Sequence, residues 1–136
     1  MAEARDAVER IREALNAHDV DALVACFAED YENSWPAHPA RGFRGRDQVR
    51  RNWEQIFSFV SDFHSDVSNA LYDGSIAFTE WAFTGTRRDG TASHMRGAIV
   101  LGVEKGLVSW TRFYMEPVDE GDGTAQEAVR RQVVGH

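Results

Sequence analysis

Apolar residues recur every three or four positions at the start of the chain: Ala4, Ala7, Val8, Ile11, Ala14 and Leu15, with charged residues between them. That spacing predicts an amphipathic helix with one face against a core. Asp19 then stands where a helix N-cap would. Asp21 follows where an acidic side chain meets the positive helix end, and Val20, Leu23, Val24 and Phe27 form one face, predicting a second helix. From Asp30 to Gly45 the period is lost. Pro36, Pro39, Asn33, Gly42 and Gly45 mark a loop, with room for a short strand around Tyr31. A third helix is predicted by Val49, Trp53, Ile56, Phe57 and Val60 on one side, with Arg46, Arg50, Arg51 and Glu54 on the other.

After Ser61 the period falls to two. Phe63, Val67 and Leu71 share a face, and Tyr72-Asp73-Gly74-Ser75 reads as a hairpin turn. A second strand runs from Ile76 to Arg88 and a third from His94 to Glu104, separated by a turn at Arg88–Thr91. Lys105-Gly106 turns again into a fourth strand, Leu107 to Glu116, which Pro117 ends. Gly121, Asp122 and Gly123 form an acidic link, and Thr124 with Glu127 has capping-box spacing ahead of a short C-terminal helix. Three helices followed by an antiparallel meander predict an α+β domain in which the helices cover one sheet face. Gly85, Gly97 and Gly102 inside long strands point to a strongly bent sheet enclosing a conical cavity. The division is a domain over residues 1–118 and a link with a short helix or tail over 119–136.

The chain has 136 residues, 43% hydrophobic and 27% charged, an ordinary globular composition. It excludes a disordered chain, a collagen-like repeat and a disulfide scaffold. Asp and Glu number 22 against 15 Lys and Arg, a net charge of −7 that makes nucleic acid and anionic membrane poor partners. The single cysteine, Cys26, forms no intrachain disulfide and fits a reducing, cytoplasmic setting. No apolar run approaches the ~18 residues of a membrane span, and Met1–Arg12 lacks the pattern of a signal peptide.

Several runs have the look of a known family. Ala17-His18-Asp19-Val20-Asp21-Ala22-Leu23-Val24-Ala25-Cys26-Phe27-Ala28-Glu29-Asp30 resembles the opening of the nuclear-transport-factor-2-like superfamily. So do Gly45-Arg46-Asp47, Glu80-Trp81 with Gly85-Thr86, and Gly106 followed by Trp110–Glu116. The likeness is to the SnoaL-like and limonene-epoxide-hydrolase-like branch and covers residues 4 to 117. It implies a cone-shaped, cystatin-like fold: three N-terminal helices on a curved antiparallel sheet of four or more strands, a short C-terminal helix, and a homodimer formed through the sheets. Exposed Ile76 and Phe78 would be a physical reason for such pairing. The superfamily includes cyclases, isomerases, dehydratases, epoxide hydrolases and binding modules, and fold does not choose among them.

Carried over by position, the ketosteroid isomerase base falls at Trp35, and its oxyanion-hole tyrosine and aspartate fall near Ile11 and near Gly97 or Ala98. An indole takes no proton from carbon and an isoleucine donates no hydrogen bond, so that mechanism is not expected. The epoxide hydrolase pattern matches in part. Tyr31 and Asn33 keep the spacing of the tyrosine and asparagine that hold the attacking water, whereas Trp81, Phe83 and Arg112 stand where that family has an arginine and two aspartates. A base there would have to come from Glu32, Glu80 or Glu116.

The same register turns Thr79, Trp81 and Phe83 inward from the second strand, and Trp110, Arg112 and Tyr114 inward from the last. Trp35, Trp53 and Phe57 join from the helix and loop side, with Glu116 as the partner for Arg112. Such an aromatic cavity suits a small, flat, apolar molecule of polyketide, steroid or aromatic type, or is simply a filled core. If it catalyses, Tyr31, Asn33 and His38 would handle protons and water, with Arg112 anchoring an anion or oxyanion. Alternatives are a binding or dimerisation module without chemistry, and epoxide-hydrolase-type water addition. His64 and His94 begin strands, where dehydratases of this superfamily carry acid–base histidines; a sheet-surface role serves them equally. His18 and His136 receive no role. No metal is expected, because histidines and carboxylates lack ligand spacing, and no cofactor is implied, because no phosphate loop or nucleophile elbow appears.

Overall fold

Residues 3–135 are described by the computed structural model. In order they form α1 (Glu3–Asn16), α2 (Val20–Val24), β1 (Phe27–Ser34), β2 (Phe43–Arg44), α3 (Arg46–Phe59), β3 (His64–Asp73), β4 (Ile76–Thr86), β5 (Ala92–Glu104), β6 (Leu107–Pro117) and α4 (Ala125–Val134). His136 lies outside the described residues.

The three N-terminal helices form where the apolar period predicts them. Ala4, Ala7, Val8, Ile11, Ala14 and Leu15 of α1 are all buried. Asp19 caps α2 by accepting from the Ala22 N–H at 3.0 Å. Asn16 at the end of α1 pins the helix to β3: its Oδ1 accepts from Ser65 N at 2.7 Å and Ser65 Oγ at 2.9 Å. His18, in the turn between α1 and α2, stacks on Phe57 of α3 at 4.6 Å and bonds the Phe63 carbonyl at 2.8 Å. Its role is to lock the helix layer to the sheet.

The sheet has six strands in the order β2-β1-β6-β5-β4-β3. Its four long strands are the predicted antiparallel meander. The segment read as a loop from Asp30 supplies two more. β1 runs parallel to β6, with Asn33 opposite Thr111 and Ser34 opposite Arg112, and β2 closes the edge against β1. Phe27, read as the end of the second helix, instead begins β1. The helices cover the concave face, and the core lies between them and the sheet.

Irregularities in two strands decide which residues that core contains. In β3 the register shifts between Val67 and Asn69, so Leu71, read as sharing the face of Phe63 and Val67, pairs with Phe78 on the outer face and is exposed. Between β5 and β6 the register shifts after Gly102↔Trp110, so that Val103 pairs with Val108. Ser109 is the extra residue of a β-bulge. Val108 is buried, and strict alternation from it would turn Trp110, Arg112 and Tyr114 inward. The bulge reverses the alternation, so Thr111, Phe113 and Met115 face the core and the other three face outward.

At the far end of the linker, the Thr124 hydroxyl accepts from the Glu127 N–H at 3.2 Å to cap α4, whose side chains are all exposed. Among the described residues, no helix is long and apolar enough to cross a membrane.

Gly97 lies within β5, opposite Trp81 on one side and Met115 on the other. Its φ of +153° disfavours L side chains, and an added Cβ would lie 2.0 Å from the Tyr114 carbonyl oxygen and 2.9 Å from Met115 Cα. Those are backbone atoms that cannot rotate away. Gly97→Ala is therefore expected to destabilise the fold by about 2–3 kcal/mol, read as a lowered midpoint in urea unfolding with an unchanged slope.

Candidate functional site

Between α3, β1 and the concave face of β4–β6 lies a cavity of about 390 Å³. That falls within the range of roughly 300–1,000 Å³ usual for small-molecule sites. Its walls are mainly aromatic and aliphatic: Phe27, Trp35, Phe43, Trp53, Phe83 and Phe113 contribute rings, with Ile56, Met95 and Met115 between them. Trp35 stacks on Phe113 at 5.1 Å, and Trp53 meets Phe83 edge-on at 5.9 Å. The polar lining residues Asn52, Gln55 and Ser93 are half-buried or exposed and mark the mouth. A smaller space of about 40 Å³ lies deeper, shares Phe27, Trp53, Phe83 and Phe113 with the first, and reaches Trp81 and Thr111.

One polar cluster stands inside. The parallel pairing of β1 with β6 sets Asn33 beside Thr111, and alternation along β1 puts Tyr31 on the same face. Tyr31 Oη and Thr111 Oγ1 share a hydrogen bond of 2.5 Å. Asn33 Nδ2 donates to Tyr31 Oη at 3.1 Å and to Thr111 Oγ1 at 3.2 Å. Asn33 Oδ1 is buried and has no partner. Burial pushes the Tyr31 phenol up to about 12, only partly offset by the hydrogen bonds from Thr111 and Asn33. At neutral pH it is an uncharged hydroxyl. Among the described residues, the cavity lining contains no Asp, Glu, Lys, Arg or His.

The structure therefore divides the expected site. Tyr31, Asn33, Trp35, Trp53 and Phe83 line the cavity. Trp81 sits deeper, on the small extension, its Nε1 donating to Thr79 Oγ1 at 2.7 Å. Phe57 does not line the cavity; it packs between His18, Trp53 and Phe63. His38 is not with Tyr31 and Asn33. Its Nε2 pairs with Glu116 Oε1 at 2.6 Å, the histidine half-buried and the glutamate exposed, and its ring meets Trp35 edge-on at 6.3 Å. Arg112, Trp110, Tyr114 and Glu116 lie on the outer sheet face, because the Ser109 bulge turns them there. Arg112 is exposed and lies over the Trp110 ring at 4.7 Å, while Glu116 pairs with His38.

The candidate bases are outside as well. Glu32 pairs with Arg44 at 3.0 Å and Glu80 accepts from Asn69 at 2.9 Å. His64 is exposed beside Asp66 at 3.3 Å, and His94 is opposite Thr84 on the outer face. Thr111, Phe113 and Met115 were missed because of the bulge, and Phe43 and Met95 because no local period points them inward. Among the described residues, no group of three or more His, Cys, Asp and Glu is placed to hold a metal ion.

Residues 8–111 match the model of the SnoaL-like domain. No curated protein sequence matches the chain. Solved structures with the same fold include a Mycobacterium tuberculosis protein in complex with estradiol-17β-hemisuccinate (TM-score 0.72, 18% identity, covering 82% of this chain and 92% of that one). A Catenulispora acidiphila protein with a ketosteroid isomerase-like fold, in complex with trimethylamine, is similar at TM-score 0.66 and 19% identity over 80% and 85% of the two chains. A cystatin-fold protein from Novosphingobium aromaticivorans is similar at TM-score 0.67 and 21% identity over 83% and 97%.

Tyr31 gives a direct test of this geometry. A phenol that ionises near 10 in the unfolded chain and at about 12 when folded stabilises the protein below pH 10 and loses that contribution as pH rises from 10 to 12. The loss should amount to roughly 2–3 kcal/mol. In ultraviolet titration one of the three tyrosines should ionise last, near pH 12, and Tyr31→Phe should remove both that step and the alkaline loss of stability.

Proposed function

The chain belongs to the SnoaL-like domain family, and from that premise we propose that it binds an uncharged, largely apolar small molecule of aromatic, polyketide or steroid type, without acid–base chemistry. The observation that carries this reading is a ring-lined cavity of about 390 Å³ whose described lining has no group ionised at neutral pH. Apolar walls reward burial of a flat molecule, and a charged ligand would enter without a counter-charge. The two ligand complexes among the structural neighbours favour small-molecule binding as the use of this fold.

Catalysis would need a base, and the nearest groups argue against one. The Tyr31 phenol holds its proton far above neutral pH. His38 is spent on Glu116 outside the cavity. Water addition would need a carboxylate beside Tyr31 and Asn33, and the third member of that cluster is Thr111, a hydroxyl.

Titration with naphthalene or a steroid should quench Trp35 and Trp53 saturably, with an affinity that stays level from pH 6 to 9 because no described lining group titrates there. Ile56→Trp should fill the cavity and weaken binding at least tenfold. Conversion of a bound compound with a pH profile that disappears in His38→Ala would overturn the binding-only reading.

The outer sheet face favours a homodimer. Leu71 and Phe78 face each other across β3 and β4 and are 71% and 54% exposed. Tyr114, Trp110 and Arg112 continue the surface, residue types common at interface centres. Sedimentation equilibrium should give a dimer for the unaltered chain and a monomer for Phe78→Asp; a monomer for both would remove this part of the proposal.

A further inference from the structure

The buried amide of Asn33 carries more information than the cluster has used. The residue is only 5% exposed, lines the cavity, and offers one end of its amide to Tyr31 and Thr111. Those two hydroxyls are joined to each other at 2.5 Å, so the three side chains on that side are bonded pairwise. The other end, Oδ1, is a strong acceptor with two lone pairs and no donor. A buried carbonyl oxygen rarely goes unpaired, because it gives up its water and gains nothing in exchange.

The surroundings restrict what could pair with it. Asn33 is opposite Phe43 in the β1–β2 ladder and two residues from Trp35, both of which line the same cavity with their rings. A donor reaching Oδ1 from the cavity side would sit at the edge of a flat group lying among those rings. It would also have to be neutral. An ammonium would lose its hydration in a space whose described lining offers no carboxylate.

We propose that Asn33 is the specificity-determining residue of the cavity, and that its Oδ1 accepts a hydrogen bond from a neutral donor, in the simplest case a hydroxyl, on a flat apolar ligand. This rests on the reading that the cavity takes an uncharged apolar molecule, and adds which polar group that molecule carries. The preferred ligand is then a phenol or hydroxylated polycycle. Its ether, which keeps the ring and loses the proton, and its ketone, which offers only an acceptor, are rejected because each leaves Oδ1 buried and unpaired.

Calorimetric titration at pH 7 with naphthalene, 2-naphthol, 2-methoxynaphthalene and 2-acetonaphthone tests this. 2-Naphthol should bind at least tenfold more tightly than the ether or the ketone. In Asn33→Leu that preference should vanish, 2-naphthol falling to the affinity of its ether. The comparison among ligands on the unaltered protein decides the matter even if the variant fails to fold. Equal binding of all four compounds would overturn the role of Asn33 and leave the binding function standing. Tighter binding of the ketone would mean that the amide presents its NH2 group to the cavity, and would overturn the proposal likewise. If none of the four bound, the function itself would fall, and this inference with it.

Discussion

Parallel pairing of β1 with β6 holds the end wall of the cavity in place, and much else follows from it. The meander of β3 to β6 would otherwise end on an open edge. β1 covers that edge, β2 covers β1 in turn, and the ladder brings Asn33 alongside Thr111. Only that juxtaposition lets the Tyr31 hydroxyl be buried, because Thr111 and Asn33 supply its partners. It also sets Trp35, just past the strand, flat against Phe113. The contact is long-range, joining residues some 80 positions apart, so the cavity exists only once the whole sheet has assembled.

Charge is segregated by the sheet. On the outer face and rim, Glu32 meets Arg44, His38 meets Glu116, and Arg112 lies over Trp110. On the inner face, polarity is reduced to hydroxyls and amides. Water on the outer side solvates ions at little expense, whereas an unpaired ion inside would be costly. The described cavity lining has no ionisable acid or base other than the Tyr31 phenol, and the charged residue types are displaced to the other side of the same strands.

The helices and the four-stranded meander were legible because each carries its own period: the α1 stripe from Ala4 to Leu15 and the alternation through Thr79, Trp81 and Phe83 are local signals. β1 has no such signal. Phe27–Ser34 contains Glu29, Asp30 and Glu32, and its strand conformation comes from pairing with a segment far along the chain. Tyr31 and Asn33 are nevertheless paired by the resemblance to the epoxide-hydrolase spacing, and a separation of two residues on β1 puts them on one face. The inward set of β6 was misread for one reason, the extra residue at Ser109, which leaves composition and hydropathy unchanged. His38 was misplaced because nearness along a proline-bounded loop does not determine which side of Trp35 a side chain passes.

The bulge gives β6 two alternative sets of inward residues that differ by one step of pairing register. As the strand stands, a threonine, a phenylalanine and a methionine face inward, while a tryptophan, an arginine and a tyrosine lie on the outer face. Flattening the bulge with Ser109 retained would exchange the two sets at a stroke, carrying a guanidinium into the interior and taking the aromatic rings off the outer face. Deleting Ser109 would do the opposite: Val108 would stay opposite Val103 and Trp110 opposite Gly102, and both sets would remain as they are. One unpaired serine thus stores the choice between two cavities, and the strand tolerates its loss better than its straightening.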